Sequence, residues 1–367
     1  MNANEKALLI ELCRFVAPAK KKIERLIRLG GATPTLLGNL ITNGVGGIAY
    51  AVLEKTGLIY MTNSEFRESL EKTFTVNEKI ITDFTGCLNY VSGLLNDCGL
   101  PYAFFGDIYL YKLYPYGCRI PRRIEVLMRK EDLGKISTRL KIAGFKTGFI
   151  ENGRPRAMSF NVIAKDVAEF GERAGLYKEI RLPYMKYLEV ELVFSLKNDQ
   201  DGEQSTKDIL SRSHISCIKN TNIRTLDISD FILYLCGAIH KSACDFESVR
   251  SGADMLLYRY TDFYVISSDM TEESAADLIK IAEENNMTAS LAYCLNAAAE
   301  FFGISNGVFN DFLNSFRRDP NQKQFFDLIK DNIKHKKYRY TESDIIKRFF
   351  ARSRSGLLLE ETRDADE

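Results

Sequence analysis

Histidine is scarce in this chain: His214, His240 and His335 are the only ones in 367 residues. None of the eight cysteines belongs to a C-x-x-C pair. These two shortages argue against a zinc site. Most cysteines instead fall inside apolar, helix-like stretches, which reads as buried thiols in a reducing cytoplasm. No charge of one sign dominates, since 50 basic residues face 49 acidic ones and the net charge is +1. That balance argues against a whole-surface nucleic-acid binder and leaves room for a local basic patch at most. Long hydrophobic runs are missing too. Residues 231–239 form one of the longest, well short of the roughly 20 residues of a membrane span. Residues 1–6 are polar and the apolar run behind them is broken by Glu11, so no secretory signal is expected. No membrane association and a cytoplasmic location are the resulting expectations. Repeats and low-complexity tracts are also absent, which excludes a solenoid.

What is present is an ordinary globular composition, 45% hydrophobic and 27% charged. The length exceeds what one core usually spans, so two or three domains are expected. Residues 1–100 read as a helical domain. Leu8, Leu9, Leu12 and Phe15 fall at helical spacing, and Pro18 and Pro34 open further helices. From Ser64 to Asn96 the helical pattern is unbroken, with Ile80, Phe84, Leu88, Val91 and Leu95 on one stripe. Asn63 or Ser64 caps it, and Gly99 with Pro101 ends it. Residues 101–197 read as a mixed α/β core. Tyr102 to Phe105 is a short strand, and residues 122–129 alternate, with Ile124, Val126 and Met128 on one side and Arg123, Glu125 and Leu127 on the other. Residues 131–143 form an amphipathic helix. Residues 145–150 and 157–162 are expected strands around an Asn152-Gly153 turn. In residues 187–196, Leu188, Val190, Leu192, Phe194 and Leu196 make a core face, and Glu189 and Glu191 lie opposite. Residues 197–208 are polar and read as a loop. Residues 198–352 are expected to form a C-terminal helical domain, and residues 353–367 a charged, disordered tail.

The segment 102–128 carries the most chemistry. It runs strand, glycine turn at Gly106, short helix, then a strand bearing Arg123-Ile124-Glu125. Around it stand Phe105-Gly106, Tyr114-Pro115, Arg119, the run from Arg123 to Met128, Gly144-Phe145, and Glu191-Leu192-Val193-Phe194-Ser195-Leu196. Ala238-Ile239-His240, Arg250 and Asp254 follow. In this order, over roughly residues 60 to 310, these patterns resemble the uncharacterised nucleotidyltransferase family of bacteria, within the polymerase-β-like superfamily.

The resemblance implies an α+β fold, a small mixed sheet flanked by N-terminal and C-terminal helical domains. It implies transfer of a nucleotidyl group from an NTP to a hydroxyl on an unknown acceptor. Gly106 and its neighbour Asp107 would hold phosphates, with Arg119 and Arg122 nearby. Three acids would hold Mg2+, and their positions here are Arg123, Glu125 and Glu191. Glu189, His240, Arg250 and Asp254 would line the cleft.

Arg123 departs from the pattern, because an arginine cannot ligate a cation. If the strand of Arg123 and Glu125 pairs with that of Glu189 and Glu191 as the resemblance implies, Arg123 can fork instead to Glu125 or Glu191 and supply positive charge from within the chain. Catalysis is then impaired or lost, and the alternative is a non-catalytic protein that binds a nucleotide, another phosphate ligand or a partner in the same cleft. The blander readings are an exposed strand face for Arg123 and Glu125, a solvated basic edge for Arg119, Arg122, Arg123, Arg129 and Lys130, and a buried or partly buried structural histidine for His240. They also include a helical i,i+4 ion pair for Arg250 and Asp254, and a solvated helix end for the basic run 334–340.

Overall fold

The computed structural model describes residues 1–151, 153–159, 173–196, 202–218, 220–319, 322 and 324–361. Contacts divide the chain into two compact units, Glu71–Phe231 on the one hand, Met1–Leu70 with Ile232–Glu367 on the other. The boundaries fall inside the helices Ser64–Asn96 and Ile228–Ala243, where expectation put them near residues 100 and 198.

The unit 71–231 is built on an eight-stranded mixed sheet. Its strands are β1 (Tyr102–Phe105), β2 (Ile124–Met128), β3 (Lys146–Glu151), β4 (Arg154–Ala157), β5 (Arg173–Glu179), β6 (Tyr187–Val193), β7 (His214–Ile218) and β8 (Thr221–Thr225). They lie in the order β4-β3-β5-β6-β2-β1-β8-β7. β2 pairs parallel to β6 and antiparallel to β1, so the segment anticipated as the chemical centre lies in the middle of the sheet. One sheet face carries Ile124, Val126, Met128, Val190 and Leu192 at period two. It packs in one core with Ile81, Phe84, Leu88, Val91 and Leu95 of the long helix. Each fully buried aliphatic or aromatic side chain there contributes about 1.5–3 kcal/mol. The helical stripe begins at Ile81, not at the expected Ile80, which is half-buried. The helix start is as anticipated: Asn63 Oδ1 accepts from the Phe66 N–H at 2.9 Å.

Three expectations in this unit change. β4 sits at Arg154–Ala157, earlier than the strand expected at 157–162, of which 160–162 lie outside the described residues. The stretch read as a loop contains a helix, Gly202–Arg212, that turns Thr206, Ile209 and Leu210 inward. Its remaining described positions are polar, which hid the helical period. β5 and the β7–β8 hairpin were not anticipated.

In the other unit, the helices Ala3–Glu11, Lys20–Arg28, Pro34–Thr42 and Gly46–Thr56 are joined by Phe246–Ser251, Leu257–Ser268, Glu272–Glu284, Thr288–Phe302, Gly307–Arg318 and Ile345–Phe349. Ala3–Glu11 packs on Thr288–Phe302, so helices from both ends of the chain share this unit. A three-stranded sheet completes it: β9 (Leu328–Asp331), β10 (Lys336–Tyr340) and β11 (Leu358–Glu360), in the order β11-β10-β9. The basic run expected at a helix end is therefore β10. Tyr338 and Tyr340 recur at period two, and His335 turns the chain at φ 54°. Val249, Ile329 and Tyr340 form a small core beneath this sheet. The end expected to be disordered contributes β11, which pairs with β10, and residues 362–367 lie outside the described residues. Among the described residues no helix is long and apolar enough to cross a membrane.

Candidate functional site

Strand register assembles the site in unit 71–231. Phe105 stands opposite Glu125 across β1 and β2, and Glu125 stands beside Glu191 across the parallel β2 and β6. Gly106 follows β1 at φ 70°, ψ −141°, a conformation that disfavours any side chain. A methyl group there would run into Glu125 Oε2. A carboxylate therefore covers the glycine turn at the point where the resemblance puts phosphates. The helix after it, Asp107–Leu110, has four residues, and so short a helix aligns few peptide dipoles.

Glu125 and Glu191 are 7% and 4% exposed. Two adjacent buried carboxylates repel and lose hydration, so a cation is needed between them. Arg123 supplies it. Its Nη2 donates to Glu125 Oε1 at 3.2 Å, and its Nε lies 2.6 Å from Glu191 Oε2. The second contact is an ion pair and not a directed hydrogen bond. Burial is the largest influence on Glu125 and pushes its carboxyl up to about 7; Arg123 opposes this, and Asp107 and Glu191 add to it. Arg123 is thus not simply one residue of an exposed strand face.

Arg173, which sequence reasoning missed, is the second cation. Its Nη1 donates to both oxygens of Glu191 at 3.4 Å. The register explains its reach. Gly175 stands opposite Glu191 on β5, and Arg173, two residues away on the same face, reaches across diagonally. The alternation of β5 is short and follows residues 160–172, so local pattern gave no strong signal. Glu189 shares the face of Glu191, but its Oε1 accepts from the Ile150 N–H at 3.1 Å, and burial raises its pKa.

The expected basic cluster is divided among separate acids. Arg119 Nη2 meets Asp107 Oδ1 at 3.4 Å, and the Arg122 backbone N–H donates to Asp107 Oδ2 at 3.3 Å. Arg129 pairs with Asp132 at 2.7 Å. Asp107 therefore ties down the chain leading into β2.

The remaining expected cleft residues belong to the other unit. His240 is half-buried there: its Nε2–H donates to Phe325 O at 3.2 Å and its Nδ1 meets Ser290 Oγ at 3.1 Å. Burial lowers its pKa, which favours the neutral ring these contacts need. The helical pair of Arg250 and Asp254 does not form. The helix ends at Ser251, with Gly252 left-handed at φ 76°. Arg250 pairs with Glu247, while Asp254 pairs with Arg354 at 2.7 Å.

The donor set does not fit a pair of divalent ions. Of the three positions the resemblance gives to metal ligands, two hold carboxylates, both already engaged by guanidinium, and the third holds an arginine. Asp107 is engaged by Arg119 and the Arg122 backbone N–H, and among the described residues no three His, Cys, Asp or Glu side chains gather where a metal ion could sit.

No curated protein matches this chain. The family model described as uncharacterised nucleotidyltransferase matches residues 33–303, more than half of the chain, and the chain therefore belongs to that family.

Proposed function

We propose that this chain is a nucleotidyltransferase-family protein whose metal-dependent catalysis has been lost, its carboxylate pair held by an internal cation. The observation that carries this reading is Arg123, whose guanidinium contacts both Glu125 and Glu191. An active relative of this kind would use acids at these positions and Mg2+ to orient the triphosphate and the attacking hydroxyl. Here one acid is replaced and the other two are neutralised, so no step is assigned through the metal. Glu125 lying against Gly106 supports the same reading, because it sets negative charge where phosphate would enter.

A second reading is a non-catalytic binding role for the same face. It is supported by the guanidinium rim, where the Arg123 and Arg173 side chains are 35% and 40% exposed. Such a rim recognises phosphate or carboxylate without a metal.

Calorimetry with each NTP, with and without Mg2+, separates the readings on wild type and Arg123→Asp. Loss of catalysis predicts no Mg2+-dependent NTP binding by wild type and a gain of it in Arg123→Asp. Mg2+-independent binding by wild type favours the binding role. Mg2+-dependent binding by wild type contradicts the proposal.

A further inference from the structure

We propose that the helix Lys20–Arg28, with Tyr60 and Arg67 beside it, is a docking surface for single-stranded nucleic acid. The whole-chain charge balance hides this patch. The helix sequence KKKIERLIR sets five basic residues against Glu24. Lys20, Lys21, Lys22, Arg25 and Arg28 are exposed, and Ile23, Leu26 and Ile27 are buried inside their own unit. Two of the five cations are partly neutralised. Lys22 Nζ lies 2.7 Å from Glu11, which also meets Arg14 at 3.6 Å, and Arg28 lies 2.9 Å from Glu24. Lys20, Lys21 and Arg25 have no carboxylate partner among the described residues.

The helix that carries this charge lies next to a turn with an exposed aromatic ring. The helix packs against the turn Ile59–Met61, and Tyr60 on that turn is 80% exposed. No other large apolar side chain among the described residues is as exposed. The Arg67 guanidinium sits over the Tyr60 ring, 5.5 Å from its centroid. Phosphate-binding cations beside an exposed ring are the combination that holds a single strand: charge follows the backbone and the ring stacks an unpaired base. Duplex bases are already stacked on one another and present no free face to Tyr60. A lipid surface fits less well, because the apolar stripe that would enter it is occupied by the core.

The test is fluorescence anisotropy of the full chain with labelled oligouridylate and oligothymidylate of about 12 nucleotides, titrated across salt. Wild type binds one or both, with affinity falling steeply as salt rises. Lys20→Glu/Lys21→Glu/Arg25→Glu weakens binding at least about tenfold and flattens the log–log salt slope by about 2, some 0.7 for each lost contact. Tyr60→Ala weakens binding about tenfold and leaves the slope unchanged. Thermal melting of each variant stays near wild type, since these side chains are exposed. The proposal is overturned if the triple variant binds as wild type does. It is also overturned if wild type binds neither oligonucleotide at low salt, or binds anionic vesicles and no oligonucleotide.

Discussion

Each unit buries carboxylate against arginine, and the two arrangements differ in how the cation is shared. In unit 1–70 with 232–367, Asp254 is the one carboxylate paired with the Arg354 guanidinium among the described residues: its Oδ1 meets Arg354 Nη2 at 2.7 Å and Nε at 2.8 Å, and Arg354 donates further to the Gly252 and Phe349 carbonyls. The Tyr340 hydroxyl donates to its other oxygen at 3.4 Å. In unit 71–231, one guanidinium is split between Glu125 and Glu191, which stand side by side on parallel strands. Burial raises the pKa of both Asp254 and Glu125 and Arg partners oppose it, but only Glu125 has neighbouring acids that push it further. The comparison separates two kinds of buried charge. Asp254 and Arg354 form a loop tie made pairwise. Glu125 and Glu191 keep the adjacency of a carboxylate pair and depend on a shared cation.

Breaking the pairwise tie is expected to have the largest effect. Arg354→Ala strands a carboxylate that is 1% exposed, and chemical denaturation should show a loss of about 3–5 kcal/mol.

The shared site should instead respond to pH. Glu125 is raised to about 7 in the folded state from a reference of 4.5. Between these values the folded chain binds more protons than the unfolded one, so stability falls as pH rises. The contribution is fully present below about pH 4.5 and lost through about pH 7, on the order of 3 kcal/mol. Unfolding free energies of wild type and Glu125→Gln should lie close near pH 4.5, where the neutral carboxyl resembles the amide, and separate as pH rises through about 7 with wild type the less stable, because the variant lacks that dependence. Parallel curves would show that Glu125 titrates alike in both states.

Gly106→Ala tests the close approach and should cost about 1–3 kcal/mol, from a positive φ and from contact with Glu125. In a Glu125→Ala background the contact component should disappear and about 1 kcal/mol should remain. Arg250→Ala is the small-effect control. Its pair with Glu247 is exposed, and melting should move by less than about 0.5 kcal/mol in free energy.

Sequence carried much of this, where the signal was local. The helix Ser64–Asn96 was legible from its spacing, from Asn63 and from Gly99 before Pro101. Gly106 and the alternation around Glu125 marked the central strands. The fork of Arg123 was legible through the family resemblance, which puts an arginine at an acid's position and pairs the strands of Glu125 and Glu191. What remained hidden depended on pairing between distant segments. Arg173 enters the site because β5 runs antiparallel to β6 with Gly175 opposite Glu191. Glu125 covers Gly106 because β1 and β2 pair with Phe105 opposite Glu125. The spacing of Arg250 and Asp254 fits one helix, but Gly252 ends that helix between them.

The central claim is that the Arg123 guanidinium stands where a divalent ion would otherwise neutralise Glu125 and Glu191. Its most direct test is a Mn2+ titration followed by electron paramagnetic resonance, on wild type, Glu191→Gln, Arg123→Asp and Arg123→Asp/Glu191→Gln. The account predicts that wild type leaves the free-ion signal unchanged, that Arg123→Asp removes it in proportion to protein, and that adding Glu191→Gln restores it. Binding by wild type that Glu191→Gln abolishes would contradict the account, because the carboxylate pair would then hold a metal with Arg123 in place.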